Sequence, residues 1–205
     1  MSTTLLSFSQ QAVRDMDDIS DFVELYYQRL NLDPATLDAE PTATKLAQIH
    51  ESHLAEIPFE NLSQHGLACQ AVLDPKRTAD KVLKQNRGGF CYELNLLLAV
   101  FLQALGYTVQ IVPAHVLDPL EDVFDGPTHI ILIVTCADNM SYYADVGLGE
   151  PPLHPLPYEV WDVEQVTPEG MHSKLLLDNN DNGQDVILSW KVPDADDGNT
   201  KWEAR

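Results

Sequence analysis

Positive charge is scarce in this chain of 205 residues: 12 lysines and arginines stand against 32 aspartates and glutamates, a net charge of -20. A surface of that sign repels phosphate backbones and anionic headgroups, which argues against nucleic acid and membrane as partners. Cysteine is scarce too. Cys69, Cys91 and Cys136 are odd in number and carry no paired spacing, so they read as reduced thiols rather than a disulfide framework. The opening "MSTTLLSFSQQAVRDMDD" lacks a basic leader and breaks its apolar run after a few residues, and no stretch is long and apolar enough for a membrane span. Together these absences predict a cytoplasmic protein. Internal repeats are missing, and the acidic "PDADDGN" is the nearest thing to a biased tract. What is present is 44% hydrophobic residues, enough to fill the core of one ordinary domain or of two small ones sharing an interface.

The first half has the period of helices. "DISDFVELYYQRLNL" sets Phe22, Val23, Tyr26, Tyr27 and Leu30 on one face, and "PTATKLAQIHESHLAEIP" repeats the pattern with Leu46, Ile49, His53 and Leu54. "LDPKRTADKVLKQN" predicts a third helix, with Asp74 as its cap and Pro75 in the first turn, where a missing N–H costs nothing. A fourth begins near Cys91, largely apolar, with Gly106 as its stop. From Tyr107 the period shortens. "YTVQIVPAHV", "THIILIVTC" and "SYYADVGLG" are β-branched and aromatic runs, and "KLLLDNNDNGQDVILSWKV" reads as two strands around a tight turn. The final "GNTKWEAR" reads as the opening of one more strand, so the chain is expected to be a fragment. The expected class is α+β, with a helical domain over 1–106 and a strand domain over 107–205.

The stretch "NRGGFCYELN" holds the candidate chemistry. A helix N-terminus carries unsatisfied N–H groups and partial positive charge, which favour a thiolate, and Cys91 stands at that position. Gly88 and Gly89 allow a sharp turn that brings N–H groups toward an acyl oxygen held at the sulfur. A thiolate nucleophile also needs a base, and the base an orienting group. His129 opens an apolar strand where a solvated imidazole would be out of place, and Asp145 lies in an equally apolar one. If the two strands form a hairpin, an odd loop such as Cys136 to Met140 puts Asp145 opposite Ile131 and on the face of His129. An even loop puts them on opposite faces, and the sequence leaves both open.

In order and spacing, "IPFENL", "NRGGFCYELN", "THIILIV" and "YYADVGLG" resemble the arylamine N-acetyltransferases, over roughly Asp21 to Pro157. The resemblance implies a papain-like cysteine-triad fold: an N-terminal helical domain, a β-barrel domain, and a third α/β domain that is largely missing here. It implies Cys91 as acetyl acceptor, His129 as base and Asp145 as orienting acid. The implied reaction is acetyl transfer from acetyl-CoA, as co-substrate with no permanently bound cofactor, through a cysteine thioester to an aromatic amine or hydrazine. Arg87 and Glu60 are implied as a buried structural pair, Phe59 as lining for the flat amine, and Gly126 and Thr128 of "DGPTH" as contacts to CoA or acceptor. Ser63 departs from the family's usual Asn, which predicts weaker bonding around Arg87. The alternatives are a papain-like or transglutaminase-like cysteine hydrolase or acyl transferase with another donor, and a truncated non-catalytic binding module.

Three other signals are set aside. "HESH" has its histidines at positions 50 and 53, not at the i, i+4 spacing of a zinc-protease helix, so no metal is expected. "DNNDNG" imitates half a calcium loop, but its twelfth position is Ser189 and its flanks read as strands, so a polar hairpin turn is expected. Gln85 stands alone as an imitation of an oxyanion glutamine.

Overall fold

The computed structural model describes residues 19–65, 73–118, 123–124, 126–149, 151–166, 170–180, 183–193 and 199–204. Cys69, the stretch through Asp18 and most of "PDADDGN" lie outside the described residues.

The four expected helices form where the periodicity puts them. Helix α1, Ile19–Arg29, buries Phe22, Tyr26 and Tyr27, and α2, Ala43–Glu56, is capped by Thr42, whose hydroxyl accepts from Lys45 N–H. Helix α3, Pro75–Ala79, starts as expected, with Asp74 Oδ1 accepting from the N–H groups of Lys76 and Arg77 at 2.9 and 3.3 Å. It then widens into a π-helical turn, Asp80–Lys84, instead of continuing as α. That turn leaves a carbonyl for a neighbour: Val82 O accepts from Arg29 Nε of α1 at 3.2 Å.

Helix α4, Cys91–Ala104, is buried without a break from Leu94 to Leu102. It ends in a Schellman motif, in which Tyr107 N–H bonds Leu102 O and Gly106 N–H bonds Gln103 O, both at 3.1 Å. Gly106 has φ of 91°, the left-handed backbone the motif requires.

The strands make two open four-stranded sheets and a small ribbon. The first sheet has the order β1 (Thr108–Ala114), β4 (His129–Thr135), β5 (Ser141–Ala144), β6 (Leu156–Pro157). The second runs β10 (Thr200–Ala204), β9 (Gly183–Pro193), β8 (His172–Asn180), β7 (Gln165–Val166). A ribbon pairs β2 (Leu117–Asp118) with β3 (Val123–Phe124). The expected barrel is therefore not closed: among the described residues no ladder joins one four-stranded sheet to the other.

Two apolar clusters explain the layering. The larger joins the helices to one face of the first sheet, with Phe101, Leu97, Ile111, Leu132 and Val134 among its members. The smaller lies on the other side, where Tyr143 and Ile131 meet Leu175, Leu188 and Trp190 of the second sheet. The first sheet is thus the middle layer, which is why "HIILIVT" is a near-continuous apolar run and not an alternating one. The polar "DNNDNG" falls in the β8–β9 hairpin, where Asn180 pairs with Gly183.

Candidate active site

The head of α4 is held by local bonds. Glu93 Oε2 reaches back to accept from Phe90 N–H at 3.1 Å, half of a capping box, and also from Lys81 Nζ at 2.6 Å. The glycines ahead of Cys91 have a different reason from the one their sequence implies. A Cβ on Gly88 would stand 1.8 Å from the carbonyl oxygen of Pro58, and Gly89 N–H donates to that same oxygen at 3.3 Å. With Phe59 and Gly89 forming a parallel bridge, the glycines let the "IPFEN" segment pack flat against the turn, and the Gly89 amide is already used. Gly147 also packs against this turn, and a Cβ there would lie 2.7 Å from Cys91 Cα.

Cys91 is half-buried, with its Sγ 3.9 Å from the carbonyl oxygen of Thr128, the residue before His129. Strand register decides the rest. Thr135 pairs with Ser141 and Leu132 with Ala144, so the hairpin loop is the odd one, Cys136 to Met140. Continued one step past β5, that register sets Asp145 opposite Ile131 and on the face of His129. His129 Nε2 and Asp145 Oδ2 are 2.7 Å apart, with both side chains nearly free of solvent contact. Cys91 is close enough to the same imidazole to favour its protonated form. Residues from α4, β4 and the segment just after β5, far apart in sequence, thus form one relay.

The electrostatics of the relay follow from its surroundings. Burial alone would lower the His129 pKa, but the bonds and negative charge of Asp145 and Cys91 outweigh it and hold the imidazole at about 9. Burial would raise the Asp145 carboxyl. The bonds and charge of His129, helped by Asn95 and Gly147 N–H, keep it below its ordinary value instead. The site can therefore hold an imidazolium between an anionic carboxylate and a sulfur.

Three more residues support Asp145, and none of them was expected at the site from the sequence, where His50 stood only in the "HESH" that was set aside. Asn95, on α4 and fully buried, donates from Nδ2 to Asp145 Oδ1 at 2.9 Å and to Ile130 O at 2.7 Å. Its Oδ1 accepts from Val146 N–H at 3.0 Å. A buried polar residue inside an otherwise apolar helix, one turn after the cysteine, was the available signal. His50, on α2, meets the backbone of Asp145 through Nε2 and Leu153 O through Nδ1. The other histidine of "HESH", His53, bonds Tyr26 Oη through Nδ1, so the two rings serve separate partners. Tyr143 Oη also donates to Asp145 Oδ2 at 3.2 Å.

The remaining expected residues lie around this relay. Arg87 Nη2 bonds Glu60 Oε1 at 2.8 Å, but the Arg87 side chain is 37% exposed, so the pair is not the buried one expected. Arg87 lies toward solvent because its N–H holds the turn to Lys81 O while Lys81, only 13% exposed, takes the inner place beside Glu60 and Glu93. Ser63 Oγ accepts from Arg87 at 2.8 Å, so the serine keeps a bond at that position. Phe59 is 53% exposed, which removes it from the core. Gly126 and Thr128 are exposed on the approach to His129. A cleft of about 640 Å³ opens between the first sheet and the β8–β9 hairpin, with His129 and Asp145 in its wall beside Ile131, Tyr143, Leu175 and Leu188.

Comparison with known proteins finds relatives of one kind. The N-acetyltransferase family profile matches residues 42–192. The arylamine N-acetyltransferase / N-hydroxyarylamine O-acetyltransferase of Salmonella typhimurium is 33% identical over 153 residues, 74% of this chain and 52% of that protein. Among solved structures, the arylamine N-acetyltransferase of Nocardia farcinica superposes with a TM-score of 0.78 at 27% identity, covering 94% of this chain and 63% of that one. The Mycobacterium marinum arylamine N-acetyltransferase in complex with CoA superposes with a TM-score of 0.72 at 30% identity, covering 89% and 63%. The chain spans about half the length of the curated relatives it matches.

Proposed function

We propose, for a chain that belongs to the arylamine N-acetyltransferase family, acetyl transfer from acetyl-CoA to the nitrogen of an aromatic amine or hydrazine through a thioester on Cys91. The observation that carries this reading is the His129–Asp145 bond at 2.7 Å, with the Cys91 sulfur 3.9 Å from the carbonyl oxygen of Thr128, the residue before His129. The arrangement reads as a papain-like triad: a nucleophile at the head of a helix, with base and acid on a sheet packed against it. In this reading residues 1–106 bring the cysteine and 107–205 the histidine and aspartate.

The steps follow from the relay. His129 holds the proton of Cys91, and the thiolate attacks the acetyl carbonyl, whose developing oxyanion faces the first amides of α4. Collapse of the tetrahedral intermediate expels CoA, which takes the proton from His129 and leaves the acetyl group on sulfur. The amine then attacks the thioester, its proton passes to His129, and the Cys91–His129 pair is restored. Asp145 keeps its charge throughout, orienting the ring and stabilising the imidazolium. Because the two substrates react in turn, they need not share the site.

Thr128 and Gly126 border the approach to Cys91, and exposed Phe59 is tied to it through Gly89, so these three are the proposed contacts for CoA and the amine. The apolar cleft beside His129 suits a flat ring. Arg87 and Glu60 act as support for the turn ahead of Cys91. The free thiols of Cys91 and Cys136 support a cytoplasmic setting, and no helix among the described residues is long and apolar enough to cross a membrane.

Intact-protein mass spectrometry after incubation with acetyl-CoA tests the proposal. The expected result is one acetyl group on Cys91, absent in Cys91→Ser, and its discharge to an added arylamine as the N-acetyl product. An unmodified Cys91 in folded protein overturns the reading.

A further inference from the structure

His50 belongs to no motif of acyl transfer and touches none of the reacting atoms, yet its ring is only 1% exposed and both nitrogens are engaged. Nδ1 lies 2.9 Å from Leu153 O, and Nε2 lies 3.2 Å from Asp145 N and 3.0 Å from Asp145 O. A neutral imidazole has one donor and one acceptor. Nδ1 faces only Leu153 O, which can only accept, so Nδ1 carries the hydrogen; Nε2 faces both the carbonyl and the N–H of Asp145, and its lone pair then accepts from the N–H. Burial favours this neutral form, against the opposing bond to Leu153 and the charge of Asp145, and His154 nearby favours it further.

The location explains why Asp145 needs such a partner. Strand β5 ends at Ala144, so the ladder that fixes the strand stops one residue short of the carboxylate. From there side chains take over the backbone: Nε2 of His50 for Asp145 N–H, Oδ1 of Asn95 for Val146 N–H, and Oδ1 of Asp145 itself for Gly147 N–H. We propose that His50 is a positioning residue for the triad, fixing the main chain of Asp145 so that its carboxylate meets His129. The inference rests on the triad reading above and goes beyond it by extending the relay to a fourth residue on α2.

The two amide substitutions separate this role from simple packing, because Gln reaches as far as Nε2 and Asn only as far as Nδ1. His50→Gln keeps a partner for the Asp145 backbone, whereas His50→Asn keeps only the bond to Leu153. The expected result is near-wild-type single-turnover acetylation of Cys91 in His50→Gln and a loss of about 100-fold in His50→Asn. The His129 titration followed by NMR is expected to hold near 9 in His50→Gln and to fall toward 6.5 in His50→Asn. Equal behaviour of the two variants, or an unmoved His129 midpoint in His50→Asn, overturns the proposal. Imidazole nitrogen shifts in the unmutated protein supply an arm that does not depend on variant folding: a proton on Nε2 of His50 at neutral pH also overturns it. The NMR arms need no acetyl-CoA, so absent acetylation with the expected His129 shifts would sink the acyl-transfer reading and leave the positioning role standing.

Discussion

Asn95 and Asp145, 50 residues apart, share a hydrogen bond of 2.9 Å at the point where α4, β4 and the segment after β5 converge. The same amide nitrogen takes Ile130 O next to His129, and the amide oxygen takes Val146 N–H. One side chain on the cysteine's own helix therefore fixes the strand of the base and the loop of the acid. Asn95→Ala leaves Ile130 O and Val146 N–H buried and without their partner. The expected cost is about 3 kcal/mol of stability in urea denaturation, with a loss of Cys91 acetylation larger than the unfolded fraction accounts for.

Gly147 marks how closely that loop approaches the nucleophile. A methyl group there meets Cys91 Cα at 2.7 Å and Cys91 O and Asn95 Nδ2 at 2.9 Å, atoms of a buried helix that cannot step aside. Gly147→Ala is expected to cost about 1 to 3 kcal/mol and to part Asp145 from His129. Gly149→Ala meets nothing within 4 Å and is expected to leave both stability and acetylation unchanged. Thermal unfolding and the acetylation assay on the pair check this.

The relay also sets a pH window for stability. His129 has a folded pKa of about 9 against an ordinary 6.5, so its contribution is fully present below 6.5 and is lost as pH rises through about 9. Asp145 has a folded pKa below its ordinary 3.8, so its contribution is present above 3.8 and disappears as pH falls through the lowered value. Urea midpoints measured across pH should decline on both flanks. His129→Gln is expected to remove the alkaline decline between 6.5 and 9 that this residue causes.

Lys81 outranks Arg87 in the charge cluster behind the catalytic turn. Its Nζ stands 2.6 Å from Glu93 and 3.8 Å from Glu60, with all three side chains 13% exposed. Lys81→Met removes the cation nearest Glu93 and is expected to cost about 3 kcal/mol. Arg87→Ala removes a cation that is 37% exposed and leaves Lys81 beside Glu60, so the expected cost is about 1 kcal/mol. Chemical denaturation of the two variants gives the order directly.

Much of this was legible in the order of residues. The spacing of Phe22, Tyr26, Leu46 and Ile49, the Asp74-Pro75 start and the Gly106 stop determine four helices, because periodicity and capping act between residues a few places apart. Cys91 at the head of an apolar helix, and His129 and Asp145 in apolar strands, could be named for the same reason. Their meeting could not. Whether His129 and Asp145 share a face turned on the parity of one loop, which the register of Thr135 with Ser141 settles. His50 reaches Asp145 across 95 positions and Asn95 across 50, and no local pattern encodes such a bond. The use of Gly88 is likewise tertiary, since the atom that excludes a side chain belongs to Pro58. Local chemistry chose the helices, the strands and the reactive groups; packing of the helices and the second sheet on opposite faces of the first decided which of those groups touch.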